Sequence, residues 1–220
     1  IEIIGYHHQV RDSISGKPVM ITYCTVCRTG RVFIPVVDSQ IENFRLVGMD
    51  HYNAMFEDSR TKSWWRQVSG EAIVGDLTGK QLEEFPSQQM TLAAWIAAHP
   101  ETRIMQRDPD FIAKYDSLAL YDEGKKKGRL ESKDSLSWKN KSWVIGVQTK
   151  DHAKAYDWSE TLNARVVNDT LGSTPVVVVI ESDGASFHVF QRPDTLTFRP
   201  NETGFADQQT GSLWNWQGEC

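Results

Sequence analysis

Cys24 and Cys27 follow directly on the apolar run of residues 18–23, and His7 and His8 stand upstream of it. Two thiols at this spacing come within reach of one ion or of each other. His7 would add an imidazole, and thiolate with imidazole favours Cu(I) or zinc over hard cations. The metal set is then His7, Cys24 and Cys27, extended by His8 and His51, with Met49, Asp50 and Met55 as further donors. Methionine beside cysteine leans toward copper before zinc. Two other chemistries use the same atoms. His7 would be the base for a Cys24 nucleophile, with Arg28 and Arg31 lowering the thiol pKa or holding an anionic substrate. Alternatively Cys24 and Cys27 would be a redox dithiol, although no thioredoxin-like βαβ pattern surrounds them. A structural disulfide is the plainest reading. Spacing alone does not choose, because a single Cys-x-x-Cys lacks the second half of a structural zinc site.

These residues need elements to hold them. Residues 19–23 are β-branched and aromatic, a strand, with turn residues before it at 12–16 and after it at 28–30. Residues 31–37 form the next strand, so the cysteines fall near a hairpin tip. A third strand covers 44–48, a loop or short helical turn 49–55, and another β element 72–74 ahead of a turn at 75–79. Residues 90–99 are the strongest helix: Thr91 is an N-cap, the interior is rich in alanine, and Pro100 stops it. A shorter helix covers 109–115, and 143–147 opens a second β block.

The chain also matches itself. Residues 10–19 align with 167–176, placing Asp12 over Asp169 and Pro18 over Pro175, and the register runs on to Phe33 over Phe190. Asp58, Thr61, Ser63 and Trp65 lie over Asp207, Thr210, Ser212 and Trp214, and Gly70-Glu71 over Gly218-Glu219. This predicts a mainly β (α+β) fold of two internally duplicated β-rich halves related by a pseudo-twofold, with a small helical insertion. The first repeat spans 1–117 and holds the Cys/His site. A polar linker spans 118–142, and a second, degenerate repeat spans 143–220, expected to be cut short at its C-terminal end. In that second copy Cys24 becomes Glu181, Cys27 becomes Gly184, and His7 and His8 become Ala164 and Arg165. Fold requirements explain what both copies keep, not the thiols and imidazoles that only the first one has. Cys220, over Ala72, stands apart.

Composition limits the partners. A chain of 220 residues builds a sizeable core. Its net charge of −5 gives no general attraction to nucleic acid or anionic membranes, and Lys125–Lys127 read as a solvated loop tip. No apolar run approaches the ~20 residues of a membrane span. The partner is thus a small molecule or a protein. Three cysteines do not make a disulfide framework at this length. Eight tryptophans predict an aromatic-rich core and grooves; Trp65 reads as core and Trp64, facing the other way, as a groove wall. His99, His152 and His188 read as structural. The start at Ile1 suggests a preceding signal or anchor segment.

Residues 18–30, Pro-Val-Met-Ile-Thr-Tyr-Cys-Thr-Val-Cys-Arg-Thr-Gly, resemble the signature of domain-of-unknown-function family 3179 (DUF3179), as do Ser63-Trp-Trp-Arg-Gln67, Gly70-Glu-Ala-Ile-Val-Gly75 and Val167-Asn-Asp169. The likeness covers nearly the whole chain. The family has no assigned activity; the resemblance implies a bacterial or archaeal protein in an extracytoplasmic setting, periplasmic or cell-surface. It places the family's histidine on His7 and its Tyr-Cys on Tyr23-Cys24. It implies threonine at Cys27 in many relatives, which favours Cys24 with His7 as the pair, and makes His8, Asp50 and His51 subgroup features. The expectation is an extracytoplasmic protein with a soft-metal (copper, then zinc) or redox site. The alternatives are a Cys–His transferase or hydrolase, and a non-catalytic binding module with a structural disulfide and a Trp-lined groove for glycan or peptide.

Overall fold

Strand β2 (Lys17–Cys24) turns Met20, Thr22 and Cys24 inward in alternation, the period-2 pattern of a half-buried strand. It pairs antiparallel with β1 (Gln9–Ile14) on one side and β3 (Thr29–Phe33) on the other, with Cys24 opposite Thr29. Ser15 and Gly16 close the first hairpin, both with positive φ, as a two-residue turn demands. The computed structural model describes residues 2–118, 121, 138 and 142–220.

After a short hairpin of β4 (Val36–Val37) and β5 (Gln40–Ile41), a four-stranded antiparallel sheet runs in the order β6 (Phe44–Asp50), β7 (Asn53–Asp58), β8 (Trp64–Arg66), β9 (Ala72–Val74). Residues 49–55, expected as a loop or helical turn, are instead a β-hairpin tip. Asp50 pairs with Asn53, and His51 and Tyr52 form the turn with φ of 46° and 70°. Neither is a glycine, so the usual hairpin signal is missing. Met20, Phe33, Phe44, Phe56, Trp65 and Leu82 share one core with Cys24.

The second block opens with β10 (Val144–Gln148) and β11 (Ala153–Asp157). Helix Trp158–Ala164 follows, its N-cap Asp157 accepting from Glu160 N at 2.9 Å. Then come the sheet β12 (Val166–Leu171), β13 (Thr174–Ile180), β14 (Phe187–Gln191) and the sheet β15 (Phe198–Asn201), β16 (Gly204–Asp207), β17 (Leu213–Trp214). Val176 to Ile180 are all buried, in keeping with the apolar run.

The chain divides into two compact units, Ile1–Ser87 with Ile104–Ser132, and Gln88–Arg103 with Lys133–Cys220. The first unit begins with helix α1 (Glu2–His7), which the sequence did not suggest; it packs on α3 (Ile112–Asp116), itself preceded by a 3-10 turn, Pro109–Phe111. Helix α2 (Leu92–Ala98) is capped by Thr91 as expected, Thr91 Oγ1 accepting from Ala94 N. The helix is fastened inside the second unit, where Thr91 N donates to Ser186 Oγ (2.9 Å) and Thr91 Oγ1 to Asp183 (2.8 Å). We number Trp158–Ala164 as α4. Of the polar stretch 118–142, Leu118, Tyr121, Trp138 and Ser142 are described; Lys125–Lys127 lie outside the described residues. Among the described residues, no helix is long and apolar enough to cross a membrane.

The self-match in sequence is matched in hydrogen bonds. Val10 pairs with Ile21 and Met20 with Phe33; Val167 pairs with Val178 and Val177 with Phe190. Asp58 accepts from Thr61 N (2.6 Å) and Trp65 Nε1 (3.0 Å), and Asp207 from Thr210 N (2.6 Å) and Trp214 Nε1 (3.4 Å). Gly70 and Gly218 both take positive φ, and a Cβ on either would stand within 3 Å of the ring of Phe33 or Phe190 respectively. The fold is mainly β, as expected.

Candidate functional site

Cys24 ends β2 with 2% of its surface exposed. The chain then turns through Thr25, Val26 and Cys27 to Arg28, whose φ is 52°, and re-enters as β3. That turn folds backbone N–H groups back on the Cys24 sulfur. Cys27 N donates to it at 3.4 Å, and the backbones of Val26 and of Ala54, near the start of β7, also favour its charged form. The Cys27 side chain packs against the same core cluster as Cys24. As a thiol, Cys24 itself donates to the Tyr52 carbonyl, 3.5 Å away at the β6–β7 tip.

This cage favours the thiolate, since hydrogen bonds to a charged form lower its pKa. The Cys27 thiol contributes most, burial opposes it, and the three amides complete the effect, bringing Cys24 from 9.0 down to about 6. Cys27 moves the other way: its proton is held by the bond to Cys24, by burial and by the neighbouring negative charge. The pair therefore shares one proton across neutral pH and titrates as a unit.

Arg31, expected to lower the thiol pKa, donates to Val68 O (3.0 Å) and pairs with Glu84 (2.7 Å). Arg28 lies over the ring of Tyr121, 4.3 Å from its centroid. The Cys27 side chain first, and then the peptide dipoles, lower the Cys24 pKa. Tyr121 also steadies the loop, donating its hydroxyl proton to Thr25 O at 2.5 Å. Thr29 Oγ1 donates to Cys27 O (3.2 Å), and Gln67 Nε2 to Thr22 Oγ1 and Thr29 O (both 3.0 Å).

The histidines go elsewhere. His7 Nε2 bonds the Tyr115 hydroxyl at 2.8 Å, and its ring packs edge-on against Tyr6, Phe111 and Tyr115. The His7 ring nitrogen Nε2 is engaged by Tyr115 rather than by Cys24. His8, with φ of 59°, bonds Tyr23 O through Nδ1 at 3.1 Å. His51 is exposed and bonds Asp50 at 2.6 Å; Asp50 also accepts from Arg66 Nε at 2.8 Å. Met55 is core and Met49 exposed. Among the described residues, no group of three or more His, Cys, Asp or Glu side chains could hold a metal. Of the set His7, His8, Cys24, Cys27 and His51, the structure joins only the two sulfurs. All three cysteines are thiols, so no structural disulfide is present.

The sequence singled out neither Tyr115 nor Tyr121, and the amides of Val26 and Ala54 carry no side-chain signal at all. In the second unit Glu181 holds the place of Cys24, with its carboxylate 2.6 Å from His188 Nε2 and both residues buried. Trp64 is part-exposed and donates Nε1 to Glu57 at 3.1 Å, while Trp65 is core.

Fold and site together define a mainly β protein with a buried thiolate caged by backbone amides. The chain belongs to the family described as protein of unknown function (DUF3179), whose model matches residues 1–220. No curated protein and no solved structure matches it.

Proposed function

We propose that Cys24 and Cys27 form a redox-active dithiol, oxidised to an intramolecular disulfide by a small oxidant of the peroxide class. The observation that supports it is the Cys27 amide donating to the Cys24 sulfur at 3.4 Å, with Cys27 packed on the same core, a nucleophile and its resolving partner side by side. The Cys24 thiolate attacks one oxygen of hydrogen peroxide. The O–O bond breaks, sulfenic acid forms, and the departing hydroxide takes a proton to become water. The Cys27 sulfur then attacks Cys24, the S–O bond breaks, and the Cys27 proton leaves with the hydroxide as a second water. Two electrons pass from the dithiol to peroxide. A dithiol reductant resets the pair, its first thiol attacking the more exposed Cys27 and its second releasing the mixed disulfide. Burial of Cys24 selects a small oxidant over a folded disulfide substrate. An extracytoplasmic location, implied by the family resemblance, suits a dithiol that must meet external oxidants.

Thiol counting and peptide mass spectrometry before and after one equivalent of peroxide test this. The expected result is loss of two thiols with a Cys24–Cys27 disulfide, and a trapped sulfenic acid on Cys24 in Cys27→Ser. Unreactive thiols, or oxidation confined to Cys220, overturns it.

One observation favours a second reading: among the described residues, no group of three or more His, Cys, Asp or Glu side chains gathers around the two adjacent sulfur donors. Two-coordinate Cu(I) is the form of copper that fits, whereas a closed zinc site needs four ligands. Competition against a Cu(I) chelator, with Cys24→Ser as control, tests it. Affinity unchanged by that substitution excludes it.

A further inference from the structure

We propose that the second unit binds a sugar ring bearing a carboxylate, a hexuronic acid or related acidic saccharide, in a cavity beside Ser182, the residue following the counterpart of Cys24. The two units differ there in one hairpin. In the first, the seven- and six-residue strands β6 and β7 carry a tip that covers Cys24 with the Tyr52 carbonyl and the Ala54 amide. In the second, the corresponding strands β15 and β16 have four residues each, and the turn follows at once after Asn201. The shortened tip borders a cavity of about 640 Å³, lined by Arg165, Val166, Ser182, Asn201, Glu202 and Trp216. That volume lies within the range of small-molecule sites.

The lining converges on one chemistry. Arg165 stands where His8 stands in the first unit and takes the same kind of strained backbone, φ 62°. Its Nε donates to Ile180 O at 3.0 Å, its carbonyl accepts from Ile180 N at 2.9 Å, and the outer guanidinium nitrogens pair with no carboxylate among the described residues. The guanidinium is thus held at its stem with its fork unspent, and that fork matches a carboxylate. Trp216 packs against Phe205, ring centroids 6.5 Å apart, and also lines the cavity. An indole offers an apolar face to a ring's C–H groups and a polar edge to its oxygens. Ser182 Oγ, the Glu202 carboxylate and the Asn201 amide nitrogen have no partner among the described residues and suit hydroxyl groups. A single cation beside a carboxylate, on a chain of net charge −5, does not suit a di- or triphosphate.

The site is independent of the thiol chemistry, and its test leaves Cys24 untouched. Saturation-transfer NMR with D-glucuronate, D-galacturonate and D-glucose on the whole chain reads binding directly. Uronates are expected to bind about tenfold or more tightly than glucose, the scale of one charge-assisted fork. Arg165→Gln erases that preference, Trp216→Ala removes binding of all three sugars, and the Cys24 thiolate midpoint stays unchanged in both. Arg165→Lys, which keeps the charge without the fork, falls between wild type and Arg165→Gln. Uronate and glucose binding alike, no transfer from any of the three, or a uronate preference that survives Arg165→Gln overturns the proposal.

Discussion

His7 Nε2 lies 2.8 Å from the hydroxyl of Tyr115, a residue 108 positions further along the chain. That bond ties helix α1 to α3 and gives the imidazole a hydrogen-bond partner other than Cys24. His7→Ala should therefore leave the Cys24 thiolate midpoint where it is while lowering stability. Tyr115→Phe, which removes the hydroxyl alone, should cost about 1 kcal/mol in urea unfolding. A midpoint that rises by a full unit in His7→Ala would restore the imidazole–thiol pair.

The caged thiolate makes stability depend on pH with a definite sign. Cys24 ionises near 6 in the folded protein and at 9.0 ordinarily. Between those values the unfolded chain holds a proton that the native state has released. The contribution is thus complete above pH 9.0, shrinks as pH falls, and is lost as pH falls through about 6. Unfolding free energies of wild type minus Cys24→Ser should rise by up to about 1.4 kcal/mol per pH unit across this window. Above it Cys27, whose folded pKa is raised, reverses the slope, because the unfolded chain loses a proton the native state keeps. A difference flat from pH 6 to 9 would rule the cage out as a stabilising feature.

Gly70 and Gly218 test the internal match. At each, φ is positive and a new Cβ would press on a buried or half-buried phenylalanine ring, 2.6 Å from Phe33 and 2.9 Å from Phe190. Gly70→Ala and Gly218→Ala should each destabilise by roughly 2 kcal/mol, combining left-handed backbone strain with overpacking. Thermal melts resolving the two variants would check it; a neutral Gly218→Ala would mean that the second unit does not share the packing of the first.

Tyr121 holds the cysteine loop from outside by its bond to Thr25 O and its ring under Arg28. Tyr121→Phe should cost about 1 kcal/mol and speed alkylation of Cys27 through a looser loop. Unchanged labelling rates would show that β2 and β3 alone fix the loop.

Much of the fold could be read in the sequence. Alternation gave β2, Thr91 and Pro100 bounded α2, and the repeated Asp-x-x-Thr-x-Ser-x-Trp marked the carboxylate cages of Asp58 and Asp207. The site was half legible. The Cys24–Cys27 spacing showed where the thiols meet and so the largest influence on Cys24, but the rest comes from backbone amides, which every residue except proline carries. The hairpin tip over Cys24 was hidden because His51 and Tyr52 adopt a turn that usually advertises itself with glycine or asparagine. The partners of His7 and the loop, Tyr115 and Tyr121, arrive from beyond residue 110, and no local pattern connects them to residues 7–28.

Thiolate ultraviolet absorbance of Cys24 as a function of pH, in wild type and Cys27→Ala, bears most directly on the caged dithiol. The wild-type midpoint should fall near 6 and climb toward 9.0 once the Cys27 donor is gone. A wild-type midpoint already at 9.0, unmoved by that substitution, would contradict it.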